Sequence, residues 1–316
     1  MLVTYSLDGK FKGRDFLTLY HFTPEEITYF LEVAFQFKEK QKKGEPHRVL
    51  EGKTLGMIFQ KPSTRTRVSF EVGMYQLGGF PLFLSSQDLQ IKRGEPIQDT
   101  ARVLSRYVDG IMIRTYSQQE VEDLARYADI PVINGLTDMF HPCQVLADLM
   151  TIREKKGALA GLKLGYIGDG NNVANSLLIG GAKTGMKVIV ASPPGYQPPK
   201  QVVDWAREDA RKTGGEITIT EDPLEAAREA DVLYTDVWAS MGQEKEAVER
   251  KKVFSRYQIN EDLLHYARPD AIVLHCLPAH RGEEITEEVM EGPQSAIFDQ
   301  AENRLHAQKA ILALLL

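Results

Sequence analysis

Phe59-Gln60-Lys61-Pro62-Ser63-Thr64-Arg65-Thr66-Arg67 gathers three hydroxyls and two guanidiniums within five residues, 63–67. It follows an apolar segment, 55–59, and precedes a helical pattern over 68–77. Proline ends the strand, and Ser63 is placed to cap the helix. The first amides of a helix have no partner within it and favour an anion. With hydroxyls and arginines added, phosphate is the natural ligand. The competing reading is an ordinary capped helix with exposed arginines.

Other reactive residues are spaced along the chain. His141-Pro142-Cys143-Gln144 opens a helical pattern. A histidine at that position is held neutral by the helix dipole and can donate one hydrogen bond to a carbonyl oxygen. Gln144, three residues on, shares its face. A capping role accounts for His141 equally well. Asp236 ends an apolar run, where a lone carboxylate is costly to bury. A ligand ammonium or a basic residue of this chain would relieve that cost. His275-Cys276-Leu277-Pro278-Ala279 ends another apolar run, and Cys276 there is either a functional thiol or a small buried hydrophobe. Arg304 is expected to open the last helix. Gly168-Asp169-Gly170-Asn171-Asn172-Val173 superficially suggests a dinucleotide loop. Val173 replaces its third glycine, and the next strand ends in Ala191-Ser192 without a ribose-binding carboxylate. Asn171 and Asn172 either present amides to a ligand or form a turn.

The elements that must position these residues read as short apolar runs alternating with helical patterns. Strands are expected at 54–59, 81–85, 110–114 and 131–134. A second series is expected at 164–168, 187–191, 216–220, 232–236, 271–276 and 296–298. Continuous apolar runs such as Ile111-Met112-Ile113 suit parallel strands covered on both faces. The expected architecture is therefore α/β, with two doubly wound domains and parallel sheets. A helix over 141–156 joins them, Pro142 suiting its first turn and Gly157 its cap. A C-terminal helix over 303–316 is expected to return to the first domain. Arg114, Asn134, Asp169, Asp236 and Cys276 all fall at carboxyl ends of strands, the edge where open α/β sheets bind ligands.

Bulk properties narrow the partners. The chain has 316 residues, 43% hydrophobic and 26% charged, with a net charge of −6. No basic block is present, which argues against nucleic acid. The two cysteines, Cys143 and Cys276, form no metal or redox pair, as expected of reduced thiols in the cytoplasm. Residues 1–8 lack the charged and apolar blocks of a secretory leader. The longest apolar run, 310–316, is too short for a membrane span.

Taken together these segments resemble the aspartate/ornithine carbamoyltransferase family along nearly the whole chain. Ser63-Thr64-Arg65-Thr66-Arg67 matches the family's carbamoyl phosphate signature. His141-Pro142-Cys143-Gln144, Asp236-Val237-Trp238, Ser240-Met241-Gly242, His275-Cys276-Leu277-Pro278-Ala279 and Asp299-Gln300-Ala301-Glu302-Asn303-Arg304 match its ornithine branch in order and spacing. The aspartate branch resembles the chain in the phosphate half. That branch reads His-Pro-Leu-Pro-Arg near the end and carries an arginine after the strand matching 232–236. Here Ala279 replaces the first of those cations, and an acid, Asp236, stands near the second. That exchange suits a diamino acid rather than a dicarboxylate. Relatives acting on putrescine lack the Ser-Met-Gly segment.

The resemblance implies carbamoyl transfer from carbamoyl phosphate to the δ-amine of L-ornithine, in arginine metabolism. It implies a carbamoyl phosphate-binding domain over 1–147, completed by a helix over 301–316, and an ornithine-binding domain over 148–300. Ser63, Thr64, Arg65, Thr66, Gln90, Arg114, His141, Gln144 and Arg304 would bind carbamoyl phosphate. Asn172, Asp236, Ser240, Met241, Cys276 and Leu277 would bind ornithine. Arg65, Thr66, Arg114, His141 and Cys276 would be catalytic. No cofactor and no metal are implied. Asp88-Leu89-Gln90-Ile91-Lys92-Arg93-Gly94-Glu95 resembles the family loop that reaches a neighbouring subunit, with Gln90 acting in trans. A homotrimer or a multiple of trimers follows, with neither nucleic acid nor membrane as partner.

Overall fold

The computed structural model describes residue 7, residues 9–242 and residues 244–316. The absence of a leader was read from residues that lie largely outside the described ones. The chain divides into two compact units, Met1–Leu146 with Asn303–Leu316, and Ala147–Glu302.

The first unit contains α1 (Pro24–Lys42), β1 (Thr54–Phe59), α2 (Thr64–Gln76), β2 (Phe80–Ser85), α3 (Ile97–Leu104), β3 (Gly110–Arg114), α4 (Gln118–Tyr127) and β4 (Val132–Leu136). Its four strands lie in the order β2-β1-β3-β4, all parallel. Every residue of β3 and β4 is buried, as continuous apolar runs require. Thr23 and Glu26 close a reciprocal capping box on α1. Ile58, Ile111, Ile113, Val121, Leu124 and Val132 pack on one face of the sheet. The β3–β4 register slips at Ile113/Arg114. The extra residue is Gly135, where a Cβ would sit 2.6 Å from the sulfur of Met112. Glycine thus permits a bulge in β4 opposite Arg114, at the strand's end.

Helix α5 (Pro142–Lys156) carries the chain from the first unit into the second. The second unit holds β5 (Lys163–Ile167), α6 (Asn172–Lys183), β6 (Lys187–Ala191), α7 (Lys200–Thr213), β7 (Glu216–Thr220), α8 (Pro223–Ala227), β8 (Val232–Thr235), α9 (Ala247–Phe254), α10 (Glu261–Leu264), β9 (Ile272–His275) and α11 (Glu287–Met290). Its strands are also parallel, in the order β7-β6-β5-β8-β9. Gly165 lets α8 lie against β5, because a Cβ there would come within 2.3 Å of the Ala226 carbonyl oxygen. Ile167, Leu233, Trp238, Phe254, Val273 and Ile285 are among the residues of this core.

Both sheets reverse strand order once, between β1 and β3 and between β5 and β8. Each unit therefore has its own switch point, where the connections diverge and leave a crevice. The expected α/β class with two parallel sheets is the one observed. The run 296–298 is not a strand. Ser295 makes a single bridge to Val273, and α12 (Ile297–Leu315) begins directly afterwards. Ile297 is buried and Phe298 is 60% exposed, an alternation that imitates a strand but is the turning of a helix. The last helix thus starts six residues earlier than expected, and Arg304 lies two turns inside it. From Asn303 onward α12 packs on the helices of the first unit, with Leu305 and Leu312 beside Gly73 of α2. No helix among the described residues is long and apolar enough to cross a membrane.

Candidate active site

At the first unit's switch point, Ser63 caps α2. Its extended backbone turns its hydroxyl back to accept from the Thr66 amide at 3.2 Å. Thr64 is exposed, Arg65 half-buried and Thr66 fully buried. The Thr66 hydroxyl oxygen accepts from Nη2 of Arg304 at 2.9 Å. Residues 238 positions apart in sequence are thereby joined at one helix start. Arg114 is buried at the end of β3, and its carbonyl accepts from the Gln60 amide at 2.9 Å.

His141 immediately precedes α5, and its carbonyl receives the amides of Gln144 and Val145, both at 3.2 Å. Burial pushes the His141 imidazole well below its usual pKa, and the charges of Arg304, Arg114 and Arg65 push the same way. The ring is neutral at physiological pH because protonating it would add a cation to a buried cationic cluster. Gln144 is buried on the first turn of α5. The arrangement is one neutral donor and an amide held in the field of three guanidiniums. It can bind an oxyanion and polarise a carbonyl oxygen.

Other residues of these motifs are committed elsewhere. Arg67 pairs with Glu71 at 3.0 Å and lies 3.6 Å over the Phe83 ring, on the flank of α2. Asn134 is structural, donating to the Leu17 carbonyl at 2.9 Å and contacting Gln118. Cys143 donates to the Asn134 carbonyl, and burial pushes its thiol up to about 12. Lys61 is buried against Asp138, over the Tyr116 ring at 4.2 Å. Gln90 is exposed at the start of the short turn Gln90–Arg93.

The second unit's switch point is built around a carboxylate. Asp236, just past β8, is buried. Its Oδ2 accepts from Asn171 Nδ2 at 2.7 Å. Its Oδ1 accepts from the Val237 amide at 2.8 Å and from the Cys276 thiol at 3.0 Å. Asn171 also caps α6, its Oδ1 accepting from Val173 N at 2.9 Å and Ala174 N at 3.2 Å. Asn171 is thus the turn residue, and Asn172, half-buried, opens the helix. The segment after Asp236 carries Ser240, half-buried, and Met241, 40% exposed. Gln243 of the same motif lies outside the described residues.

Leu277, half-buried, has a φ of 59°. That left-handed backbone, unusual for a branched side chain, is held by the Leu277 amide donating to His275 Nδ1 at 2.8 Å. Nδ1 is therefore the acceptor, so Nε2 carries the proton toward Glu284 at 3.0 Å. Both are fully buried. Asp236, His275 and Cys276 bring donor atoms within 4.8 Å of one another. Both nitrogens of the His275 ring are already hydrogen-bonded within the protein, so the ring has no lone pair left for a cation.

Sequence reasoning missed the positioning roles of three residues here. Arg250, from α9, donates to Asp169 at 3.0 Å and to the Trp238 carbonyl at 2.8 Å, and its guanidinium faces the Tyr196 ring at 4.9 Å. It ties the segment carrying Ser240 and Met241 to the turn after β5. Burial pushes Asp169 up to about 6 despite that partner. Glu284 orients His275, and Asn171 orients Asp236. None carries a motif of its own. Only the position of Asn171 before an apolar helix was a usable signal.

Comparison with known proteins finds two family models along the chain, the second of which runs through the C-terminal helix. The carbamoyl-P binding domain model of aspartate/ornithine carbamoyltransferases matches residues 14–154, and the Asp/Orn binding domain model matches residues 160–315. The chain is 61% identical to the ornithine carbamoyltransferase of Thermococcus kodakarensis, covering 96% of each sequence. It is 62% identical to the anabolic ornithine carbamoyltransferase of Pyrococcus furiosus, again over 96% of each. The solved structure of the Pyrococcus furiosus ornithine carbamoyltransferase superposes with a TM-score of 0.94, covering 96% of this chain and 97% of that one.

Proposed function

The chain belongs to the aspartate/ornithine carbamoyltransferase family, and from that premise we infer that it transfers the carbamoyl group of carbamoyl phosphate to L-ornithine, giving L-citrulline and phosphate in arginine biosynthesis. The observation that carries the choice of acceptor is the sign of the second switch point. A buried carboxylate, Asp236, is held there by two neutral side chains and one amide. An α-ammonium offers the compensating charge, and a dicarboxylate would be repelled.

The roles follow from local chemistry. Ser63, Thr64, Arg65 and Thr66, with the free amides of α2, hold the phosphate. Thr66, Arg114 and His141 donate to the carbonyl oxygen, where negative charge develops as the amine adds. Gln144 accepts from the carbamoyl NH2 through its side-chain carbonyl, and Arg304 holds Thr66 while contributing charge. Asp236 receives ornithine's α-ammonium. Asn172, Ser240 and Met241 complete the amino acid end, and Cys276 and Leu277 lie toward the δ-amine. That amine attacks as the free base, and its proton leaves with the phosphate, itself a competent base. On these assignments residues 1–147 with 301–316 form the donor-binding domain and 148–300 the acceptor-binding domain. Gln90, exposed on its turn, serves the donor site of a neighbouring copy in a cytoplasmic homotrimer.

A colorimetric assay for ureido products with L-ornithine, putrescine and L-aspartate as acceptors tests the reading. Turnover of ornithine at least about tenfold above the other two in kcat/KM is expected from differences in charge pairing. Preference for putrescine would overturn the acceptor assignment.

A further inference from the structure

One buried cation has no part in the chemistry above. Lys309, on α12, is fully buried. Its Nζ donates to Gln41 Oε1 at 2.7 Å and to Gln76 Oε1 at 2.8 Å, and lies 3.2 Å from His47 Nε2. These acceptors come from α1, from the last residue of α2 and from the stretch after α1. His47 Nδ1 contacts the Glu45 carbonyl at 2.9 Å, so Nδ1 carries the proton and Nε2 is the lone pair facing Lys309. All three acceptors are neutral. The charges that bear most on the two histidines of this cluster, His47 and His306, are those of Lys309 itself and of Lys38, Lys40 and Lys42 of α1. Burial holds both histidines below their usual range, His306 at about 3, leaving Lys309 the charge at the centre. Among its hydrogen-bond partners no carboxylate compensates it, and burial pushes Lys309 down to about 8.

The same helix supplies Arg304. Its guanidinium takes Thr66 at the start of α2, while Lys309 takes Gln76 at the end. Ten residues of helix separate those contacts, about 15 Å. Between them Gly73 lets α12 come close, with Lys309 Cγ 3.5 Å from where its Cβ would be. Helix α2 is gripped at both ends by one neighbour. We propose that Lys309 is a positioning residue for the phosphate-holding turn, fixing the axis of α2 through Gln76 so that Thr66 and the first amides stay aligned with Arg304. This rests on the reading of residues 63–66 as the phosphate site. An ammonium at the C-terminal end of α2 also complements its dipole. When Lys309 loses its proton it has two donors for three acceptors, and the grip slackens.

The test uses the full chain and inorganic phosphate as probe, with affinity measured by calorimetry. Lys309→Met and Gln76→Leu should each weaken phosphate binding about fivefold or more at pH 7, the scale of a lost charged hydrogen bond partly transmitted. The double variant should bind phosphate no more weakly than Lys309→Met, since both substitutions remove the same Lys309–Gln76 bond. Wild-type affinity should fall between pH 7.5 and 9.5, and that of Gln76→Leu should stay flat. Wild-type phosphate affinity in Lys309→Met, whatever its melting temperature, overturns the proposal. If that variant does not fold, parallel pH profiles for wild type and Gln76→Leu overturn it, and diverging ones support it. Absence of any phosphate binding by the wild type would remove the phosphate assignment itself, and the proposal with it.

Discussion

Asp236→Asn separates charge from shape at the acceptor site. The carboxylate accepts three donors, two on Oδ1 and one on Oδ2. An amide keeps one acceptor for Val237 and Cys276 but turns its NH2 against that of Asn171. One donor is left facing a donor, a conflict costing about 1–3 kcal/mol. In a unit of this size that lowers the melting temperature by roughly 2–4 °C per kcal/mol. The second loss is the charge facing ornithine's α-ammonium. Asp236 is only 5% exposed, so solvent screens it little, and truncating such a pair costs about 2–5 kcal/mol. The expected fall in kcat/KM for ornithine is therefore about 30- to 4,000-fold. KM for carbamoyl phosphate should move by less than about twofold, because no proposed donor-binding residue touches Asp236. The decisive control is 5-aminopentanoate, which keeps the attacking amine and lacks the α-ammonium. Wild type should use it poorly, and the variant should use it no worse than wild type does. If the substitution lowers turnover of both acceptors by the same factor, Asp236 does not serve the ammonium and the assignment fails.

Arg65→Ala should lower kcat by at least about 100-fold, the loss of one preorganised donor, and mixing it with Gln90→Ala should restore activity through hybrid oligomers. No recovery after verified subunit exchange would place Gln90 outside the site. Arg250→Gln frees the segment bearing Ser240 and Met241 and should raise KM for ornithine about tenfold, leaving KM for carbamoyl phosphate unchanged; steady-state kinetics with each substrate varied in turn checks this. Lys309 makes a stability prediction of definite sign. Its pKa lies near 8 in the fold and at 10.5 ordinarily, so between those values the unfolded chain holds more protons. Stability should rise with pH across that window, by at most about 3 kcal/mol. Urea midpoints of wild type relative to Lys309→Met should show the rise, while phosphate affinity falls.

Inner strands such as β1 and β3 were legible because they are parallel and buried along almost their whole length, which writes them as nearly unbroken apolar runs. Where a run was short the signal failed. Ala296-Ile297-Phe298 has the composition of a strand, yet one bridge is all the sheet takes before α12 begins. Arg304 was recognised as a site candidate and misplaced within its helix for the same reason. The motif Ser63–Arg67 suggested two anion-binding arginines, but Arg67 is drawn to Glu71 four residues on, a local pairing that competes wherever a helix flank is exposed. Arg250 and Lys309 were invisible because they act through partners far away in sequence, and Glu284, only nine residues from His275, has no characteristic spacing. The bulge opposite Arg114 depends on Gly135, and a lone glycine in an apolar run shows only that something unusual happens there.

The bond between Thr66 and Arg304 has a consequence for how the protein is made. The residues it joins are 238 positions apart, and the whole of the second unit is translated between them. At about 5–20 residues per second, the turn 63–66 waits roughly ten to fifty seconds on the ribosome before its partner exists. The second unit, Ala147–Glu302, is contiguous and has all its residues just before Arg304 is added. The first unit has its sheet but lacks the helix that clamps α2. The turn 63–66 therefore gains its Arg304 contact only when the chain is almost finished.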